Sequence, residues 1–237
     1  MQIIKQATPT APKLMIYGLP GVGKSTLAAK LKNPLFIDIE GGLNYLDVDR
    51  TPTLEDARIV YGVLEQLYTV AQSGKRKYDT IVIDSVDWLV RKIVETAANI
   101  NENNLEETLN RSNGGYGNGK QVLENHVKTK LLPFLVKLNK QGYGICLIAH
   151  ADRKTLMSAE GNDIVQITPK IDVNTMNAFV EWADNVLYLK KNIAGERVLV
   201  LESDDVALAK NRLSLTGEVK LDDIDINELL MPKKEKE

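Results

Sequence analysis

One nine-residue stretch constrains this chain more than any other. Gly18-Leu-Pro-Gly-Val-Gly-Lys24-Ser25-Thr26 fits the phosphate-binding pattern G-x-x-x-x-G-K-[ST]. An apolar run, Lys13 to Tyr17, precedes it and reads as a buried strand. Helix formers, Thr26 to Leu31, follow it and predict a helix to about Lys32. Strand, glycine loop and helix together are the context that gives the motif its meaning. The glycines let backbone N–H groups turn inward toward phosphate oxygens. Gly18, Pro20, Gly21, Val22, Gly23, Lys24, Ser25 and Thr26 are therefore the expected nucleotide-binding residues. Lys24 would reach the β- and γ-phosphates, and Ser25 would ligate Mg²⁺. ATP and Mg²⁺ are the expected ligands.

The rest of the chain reads as alternating strands and helices. Leu35 to Ile39 predicts a second buried strand ending in Asp38, Glu40, Gly41 and Gly42. That ending is either a polar turn or a carboxylate at the carboxyl edge of a parallel sheet, where α/β ligand sites form. Thr53-x-x-Asp56 resembles a capping box for a helix running to about Gln72. Asp79 to Asp84 is an apolar strand ending in an aspartate, the Walker B pattern, and Asp84 would hold Mg²⁺ directly or through water. A helix is expected from Val86 to about Ile100. Residues 101–120 break periodicity and carry the glycine-rich run Asn113 to Gly119, either a connector or a substrate loop in which Tyr116 stacks on a base. A mainly helical stretch, interrupted at Pro133, runs from Gln121 to Gln141. Gly144 to Ala149 predicts another buried strand ending in His150, followed by a loop to Ile167. A helix at 174–183, a strand at 185–189 and short strands at 198–201 and 206–209 complete the pattern.

Alternation of this kind implies one α/β domain with a mostly parallel central sheet flanked by helices. It is expected over residues 13–221, with an N-terminal arm (1–12) and a charged C-terminal tail (222–237) that frays. The 237 residues carry a net charge of −2, which excludes a global positive field for nucleic acid and leaves only local patches. The single cysteine, Cys146, sits in an apolar run and excludes a disulfide framework or a cysteine metal site. No apolar stretch reaches the roughly 18 residues of a membrane helix, and no signal-peptide pattern opens the chain. A cytoplasmic setting, with no membrane partner, is the expectation.

The residue after Asp84 is Ser85, where many P-loop ATPases carry a water-activating glutamate. The best remaining carboxylate at a strand end is Glu40. With this in view, Phe36-Ile-Asp-Ile-Glu40, Ile81-Val-Ile-Asp-Ser-Val86, Leu147-Ile-Ala-His150 and Ala209-Lys-Asn-Arg212 occur in an order that resembles RecA-like ATPases. Over residues 13–215 the chain is similar to short phage-type members described as AAA-family ATP-binding proteins, among them the Sak-type single-strand annealing recombinases. The resemblance implies a RecA-like fold. Glu40 would activate water, and His150 would sense the γ-phosphate in place of the usual glutamine. Lys210 and Arg212 would enter a neighbouring subunit's site, so that catalysis needs a homo-oligomer, ring or filament. It also implies two loops for single-stranded DNA, near 101–120 and 151–167, with Tyr116, Lys120, Arg153 and Lys154 as candidates by chemistry only. A single-strand-binding protein is a further possible partner. Two other readings stay open: a P-loop ATPase that acts on a protein partner, and a small-molecule kinase, for which clustered lid arginines are missing.

Overall fold

The computed structural model describes residues 11–96, 105–157 and 163–230. Its elements in chain order are β1 (Lys13–Gly18), α1 (Lys24–Ala28), β2 (Pro34–Asp38), β3 (Asp49–Arg50), α2 (Ala57–Gln72), β4 (Thr80–Asp84), α3 (Val86–Thr96), α4 (Leu105–Arg111), α5 (Asn118–His126), α6 (Leu132–Lys140), β5 (Gly144–Met157), β6 (Asp163–Pro169), α7 (Val173–Trp182), β7 (Asn185–Lys191), β8 (Arg197–Val200), β9 (Glu218–Lys220) and α8 (Ile226–Leu229).

The sheet runs β3-β2-β4-β5-β1-β7-β8-β9, with β6 paired to β5. From β3 to β7 every pairing is parallel, and β6, β8 and β9 add antiparallel pairs. Two apolar layers enclose it, because side chains alternate along each strand. Met15, Tyr17, Ile37, Ile81, Ile83 and Leu147 pack with α2, α3, α5, α6 and α7 on one face. Leu14, Ile16, Phe36, Val82, Cys146, Ile148 and Leu187 pack with α1 and the C-terminal segment on the other. Both faces are covered, which is why these strands read as continuous apolar runs rather than alternating ones.

The register aligns the carboxyl ends of four strands. Gly18 lies beside His150, Asp84 beside Ile148, and Asp38 beside Asp84. Chemistry-bearing residues that are distant in sequence therefore reach one sheet edge.

Several expectations need correction. Helix α1 ends at Ala28, not near Lys32; Lys30 and Leu31 bond three residues back to Leu27 and Ala28, and Asn33 then takes φ 40° before Pro34. Asp56 alone caps α2, accepting from the Arg58 N–H, while the Thr53 hydroxyl turns to Asp38. The strand expected at 206–209 makes only isolated bridges, Ala207 with Ile167 and Lys210 with Val186. The segment from Asp222 to Leu230 does not fray: Ile226 and Leu230 are buried in the second layer, and Asn227 bonds the backbone of Lys30 and Lys32. The remainder of the tail and most of the N-terminal arm lie outside the described residues.

Two larger corrections concern the expected DNA loops. Within 101–120, α4 and the start of α5 occupy what had looked aperiodic, and the end expected for α3 lies outside the described residues. Beyond His150, β5 continues to Met157 and pairs with β6 from Asp163 to Pro169, so a two-stranded ribbon replaces the expected loop. The π-helical turn Val127–Leu131 and Pro133 in the first turn of α6 account for the predicted break near Pro133.

Candidate nucleotide site

A cleft of about 360 Å³ opens at the carboxyl edge of the sheet. Pro20, Gly21, Gly23, Lys24, Ser25 and Thr26 form one wall, and Glu40, Asp84 and His150 another. Gly21 and Gly23 stand at φ 74° and 105°, left-handed conformations that place the loop backbone around the cleft. Two of the expected loop residues do other work. A Cβ at Gly18 would lie 2.3 Å from the Leu189 carbonyl oxygen, so this glycine permits β1 to pack on β7. Val22 sends its side chain into the second apolar layer.

Lys24 is buried, and its Nζ donates to the carbonyls of Gly18 at 3.1 Å and Leu19 at 3.2 Å. An ammonium has three donors, so one remains for a phosphate oxygen. Burial pulls the Lys24 pKa down, and the carboxylates of Asp84, Glu40 and Asp87 pull it back up. Ser25 Oγ donates to Asp84 Oδ2 at 2.6 Å. Burial raises the Asp84 carboxyl to about 6, against the bond from Ser25. A hydroxyl and a buried carboxylate side by side are the hard oxygen donors that suit Mg²⁺, which keeps its remaining positions for water and phosphate.

The two carboxylates at the end of β2 separate into different roles. Asp38 is fully buried, accepting from the Gly41 N–H at 2.7 Å and from Arg50 at 3.1 Å. Those bonds fix the turn that carries Glu40. Glu40 stays partly exposed, with Ser85 Oγ donating to one of its oxygens at 3.4 Å and His150 Nε2 3.6 Å from the other. Asp87 lies behind His150. Its carboxylate accepts from the His150 backbone N–H at 3.2 Å and sits 2.9 Å from Nδ1. Burial alone would raise the Asp87 pKa, but the bonds from His150 outweigh it and the net direction is downward. An ionised carboxylate is acceptor-only, so Nδ1 carries the hydrogen. The same bond raises the His150 pKa. Asp87, His150 and Glu40 thus form a chain of polar side chains that ends at the cleft.

A family model described as "AAA domain" matches residues 10–213, most of the chain. The chain belongs to that AAA domain family. It is also 27% identical over 192 residues to the "SPbeta prophage-derived uncharacterized protein YorG" of Bacillus subtilis (strain 168), covering 80% of this chain. The chain spans about half, 54%, of that relative's length. The AAA domain assignment agrees with the parallel sheet and the phosphate loop, and marks the chain as a P-loop protein of the nucleotide-binding kind.

The AAA domain leaves other predicted residues away from the cleft. Lys210 donates to the carbonyls of Val180 at 2.7 Å, Glu181 at 3.3 Å and Ala183 at 2.8 Å, closing the end of α7. Burial and the neighbouring Arg212 lower its pKa. Arg212 is more exposed and reaches Asp184 at 3.6 Å. Both lie level with the start of β7, at the sheet edge opposite the phosphate loop. Tyr116 is fully exposed at φ 53°, and Lys120 pairs with Asp172 at 3.5 Å. Arg153 is exposed on β5, and Lys154 bonds the Ile171 carbonyl. Among the described residues no helix is long and apolar enough to cross a membrane.

The sequence reading missed Asp87, Tyr45 and Arg197. Asp87 follows Asp84 by one turn at the start of α3, a position at which its partner on β5 is invisible. Tyr45 is a fully exposed ring on the cleft lip, in the segment after Glu40, placed where a base could stack. Arg197 comes from the far side of β1, and no motif announced it.

Proposed function

We propose that this chain is a Mg²⁺-dependent ATPase of phage type that uses ATP binding and hydrolysis to control its hold on single-stranded DNA, in annealing or recombination, within an assembly of identical subunits. The observation that carries the hydrolytic part is Glu40. It is held by Ser85 and faced by His150 in the cleft that the Ser25–Asp84 pair also lines, where an attacking water and a γ-phosphate would meet. Bound Mg²⁺ would neutralise developing phosphate charge, with Ser25 and Asp84 holding it. Lys24 contributes positive charge to the phosphates, Glu40 orients water, and His150 is placed to donate toward the γ-phosphate or to Glu40.

Two facts support single-stranded DNA as the object of the work. Strand β5 runs without interruption from His150 in the cleft to exposed Arg153 on the ribbon, so a movement at the nucleotide has a stiff path to that surface. The relative from a prophage is consistent with a phage setting. Arg212, rather than Lys210, is the better candidate for entering a neighbour's site, since Lys210 is committed to its own chain's carbonyls.

A second reading, a P-loop ATPase acting on a protein, is favoured by the pairing of Lys120 with Asp172 and of Lys154 with a backbone carbonyl, which leaves a weak basic surface. One titration separates them. Fluorescence polarisation of labelled oligo-dT is measured with a non-hydrolysable ATP analogue, with ADP and without nucleotide. The DNA reading predicts nucleotide-dependent binding that weakens steeply with salt. No binding at low salt with any nucleotide overturns it and leaves the second.

A further inference from the structure

The cleft holds a cation that neither the phosphate motif nor the strand-end carboxylates include. Arg197 is the first residue of β8 and lines the cleft. Its Nε is 3.2 Å, and its Cδ and Cζ 3.6 Å, from where a Cβ on Gly23 would stand. The guanidinium therefore lies against the backbone of the phosphate loop itself.

The local fold holds it there. The turn between β7 and β8 is closed by the Gly195 N–H to the Asn192 carbonyl at 2.9 Å and the Glu196 N–H to Asn192 Oδ1 at 2.9 Å. Arg197 then pairs with Lys191 across the two strands, and β7 pairs with β1 directly beneath the loop. Its neighbour Glu196 is engaged by Lys220 at 2.8 Å, so the nearest carboxylate in sequence is committed elsewhere. Among the described residues no ion pair or hydrogen bond occupies the Arg197 guanidinium.

The two sides of β1 differ in charge. Toward β5, β4 and β2 lie His150, Asp84 and Glu40. Toward β7 and β8 lies Arg197. The carboxylate side is where metal and attacking water belong, and so where the γ-phosphate must point. The opposite side then faces the part of the phosphate chain nearer the ribose. Glu40 and Asp84 add negative charge to that of a triphosphate, and Lys24 alone among the loop residues opposes it. An uncommitted arginine with a rigid fork of donors is the side chain best suited to close that gap.

We infer that Arg197 is a nucleotide-binding residue supplied in cis, which grips the α- and β-phosphates of the bound nucleotide against the Gly23 end of the loop. It rests on the ATPase reading above and adds to it. The charge that stabilises bound nucleotide then comes partly from the same chain, and ADP benefits from it as much as ATP.

Dissociation constants for fluorescent N-methylanthraniloyl ATP and ADP, with Mg²⁺, test this in wild type, Arg197→Ala and Arg197→Lys. Thermal unfolding without nucleotide controls for folding. Arg197→Ala is expected to weaken ATP and ADP alike, by roughly 10- to 100-fold, the scale of a lost charge-assisted hydrogen bond. The KM for ATP rises by a similar factor while kcat falls far less. Arg197→Lys recovers part of the affinity. Wild-type affinity for both nucleotides in Arg197→Ala overturns the inference. So does a loss confined to ATP, which would place the guanidinium at the γ-phosphate. A wild-type chain that binds neither nucleotide overturns the ATPase reading and this inference with it.

Discussion

The chain has two glycine-rich loops, and they serve opposite purposes. The first, Gly18 to Gly23, has a buried strand before it and Lys24 after it, and its left-handed glycines bend backbone around a cleft. The second, Asn113 to Gly119, has Gly114, Gly115 and Gly117 at φ 94°, 82° and 78°, yet it joins two helices. Gly119 is buried there, and a Cβ would lie 2.7 Å from the Leu109 carbonyl oxygen and 2.1 Å from Ser112 Oγ. Glycine content alone does not distinguish a ligand cradle from a tight helical joint. What separates them is the element each loop leaves, a buried strand of the sheet in the first case and a short helix in the second.

Substitutions at one glycine in each loop should break the comparison in different ways. In the first loop, Gly18→Ala drives a methyl group into the Leu189 backbone, which cannot move without disturbing the β1–β7 pairing. Nucleotide affinity should fall by more than about 100-fold in an anthraniloyl-ATP titration, because a misplaced loop loses several amide contacts at once. Retained affinity would mean that the loop tolerates displacement of its strand.

Asp84→Asn tests the buried carboxylate opposite that loop. The folded chain holds the Asp84 proton up to about pH 6, whereas the unfolded chain releases it near the ordinary carboxylate value. The folded state therefore binds more protons across that window, and this group's contribution to stability falls as pH rises through it. Above pH 6 the cost reaches about 2–3 kcal/mol. Asp84→Asn should accordingly melt higher than wild type at pH 7, with the gap closing toward pH 4, while Mg²⁺-dependent nucleotide binding is lost. A gap that is the same at both pH values would contradict the burial argument.

In the second loop, Gly119→Ala should cost about 2 kcal/mol in denaturant unfolding, since backbone atoms of α4 stand where the methyl group must go. Its nucleotide affinity should match wild type. A loss of affinity without a loss of stability would tie the second loop to the nucleotide cleft.

The smallest effect is expected at Asp87, which stands behind His150 and does not line the cleft itself. Asp87→Asn removes the carboxylate that raises the His150 pKa. If the protonated ring serves hydrolysis, the alkaline limb of the kcat profile moves to lower pH and kcat falls about tenfold. An unshifted profile would reduce Asp87 to a packing role.

How much of this was legible in the sequence follows the range of the interactions involved. Gly18 to Thr26 and Asp84 were readable because each is a local pattern between recognisable flanks. Glu40 was readable by elimination, since Ser85 left the position after Asp84 without a carboxylate. Asp87 and Arg197 were not, because their meaning depends on pairing with residues roughly 60 and 170 positions away. The ribbon beyond His150 was misread for another reason. Asp152, Arg153, Lys154 and Thr155 put polar side chains on both faces of the extended β5, so no alternating apolar stripe marks it as a strand. Asn113 to Gly119 was recognised as a glycine loop, but the helix before it, rich in Glu and Asn, showed no periodic face. Lys210 and Arg212 were legible as basic residues after an apolar run; only the fold shows that Lys210 closes α7.

The central claim is that Glu40, and not a residue beside Asp84, positions the water for hydrolysis. Glu40→Gln keeps the size and the acceptor toward Ser85 while removing the charge. Single-turnover hydrolysis of Mg²⁺-ATP, with binding followed in parallel, measures the claim directly. The account predicts ATP affinity within a few-fold of wild type and a hydrolysis rate lower by roughly 10²–10⁴-fold, the scale of general-base catalysis. Hydrolysis at the wild-type rate in Glu40→Gln would contradict it.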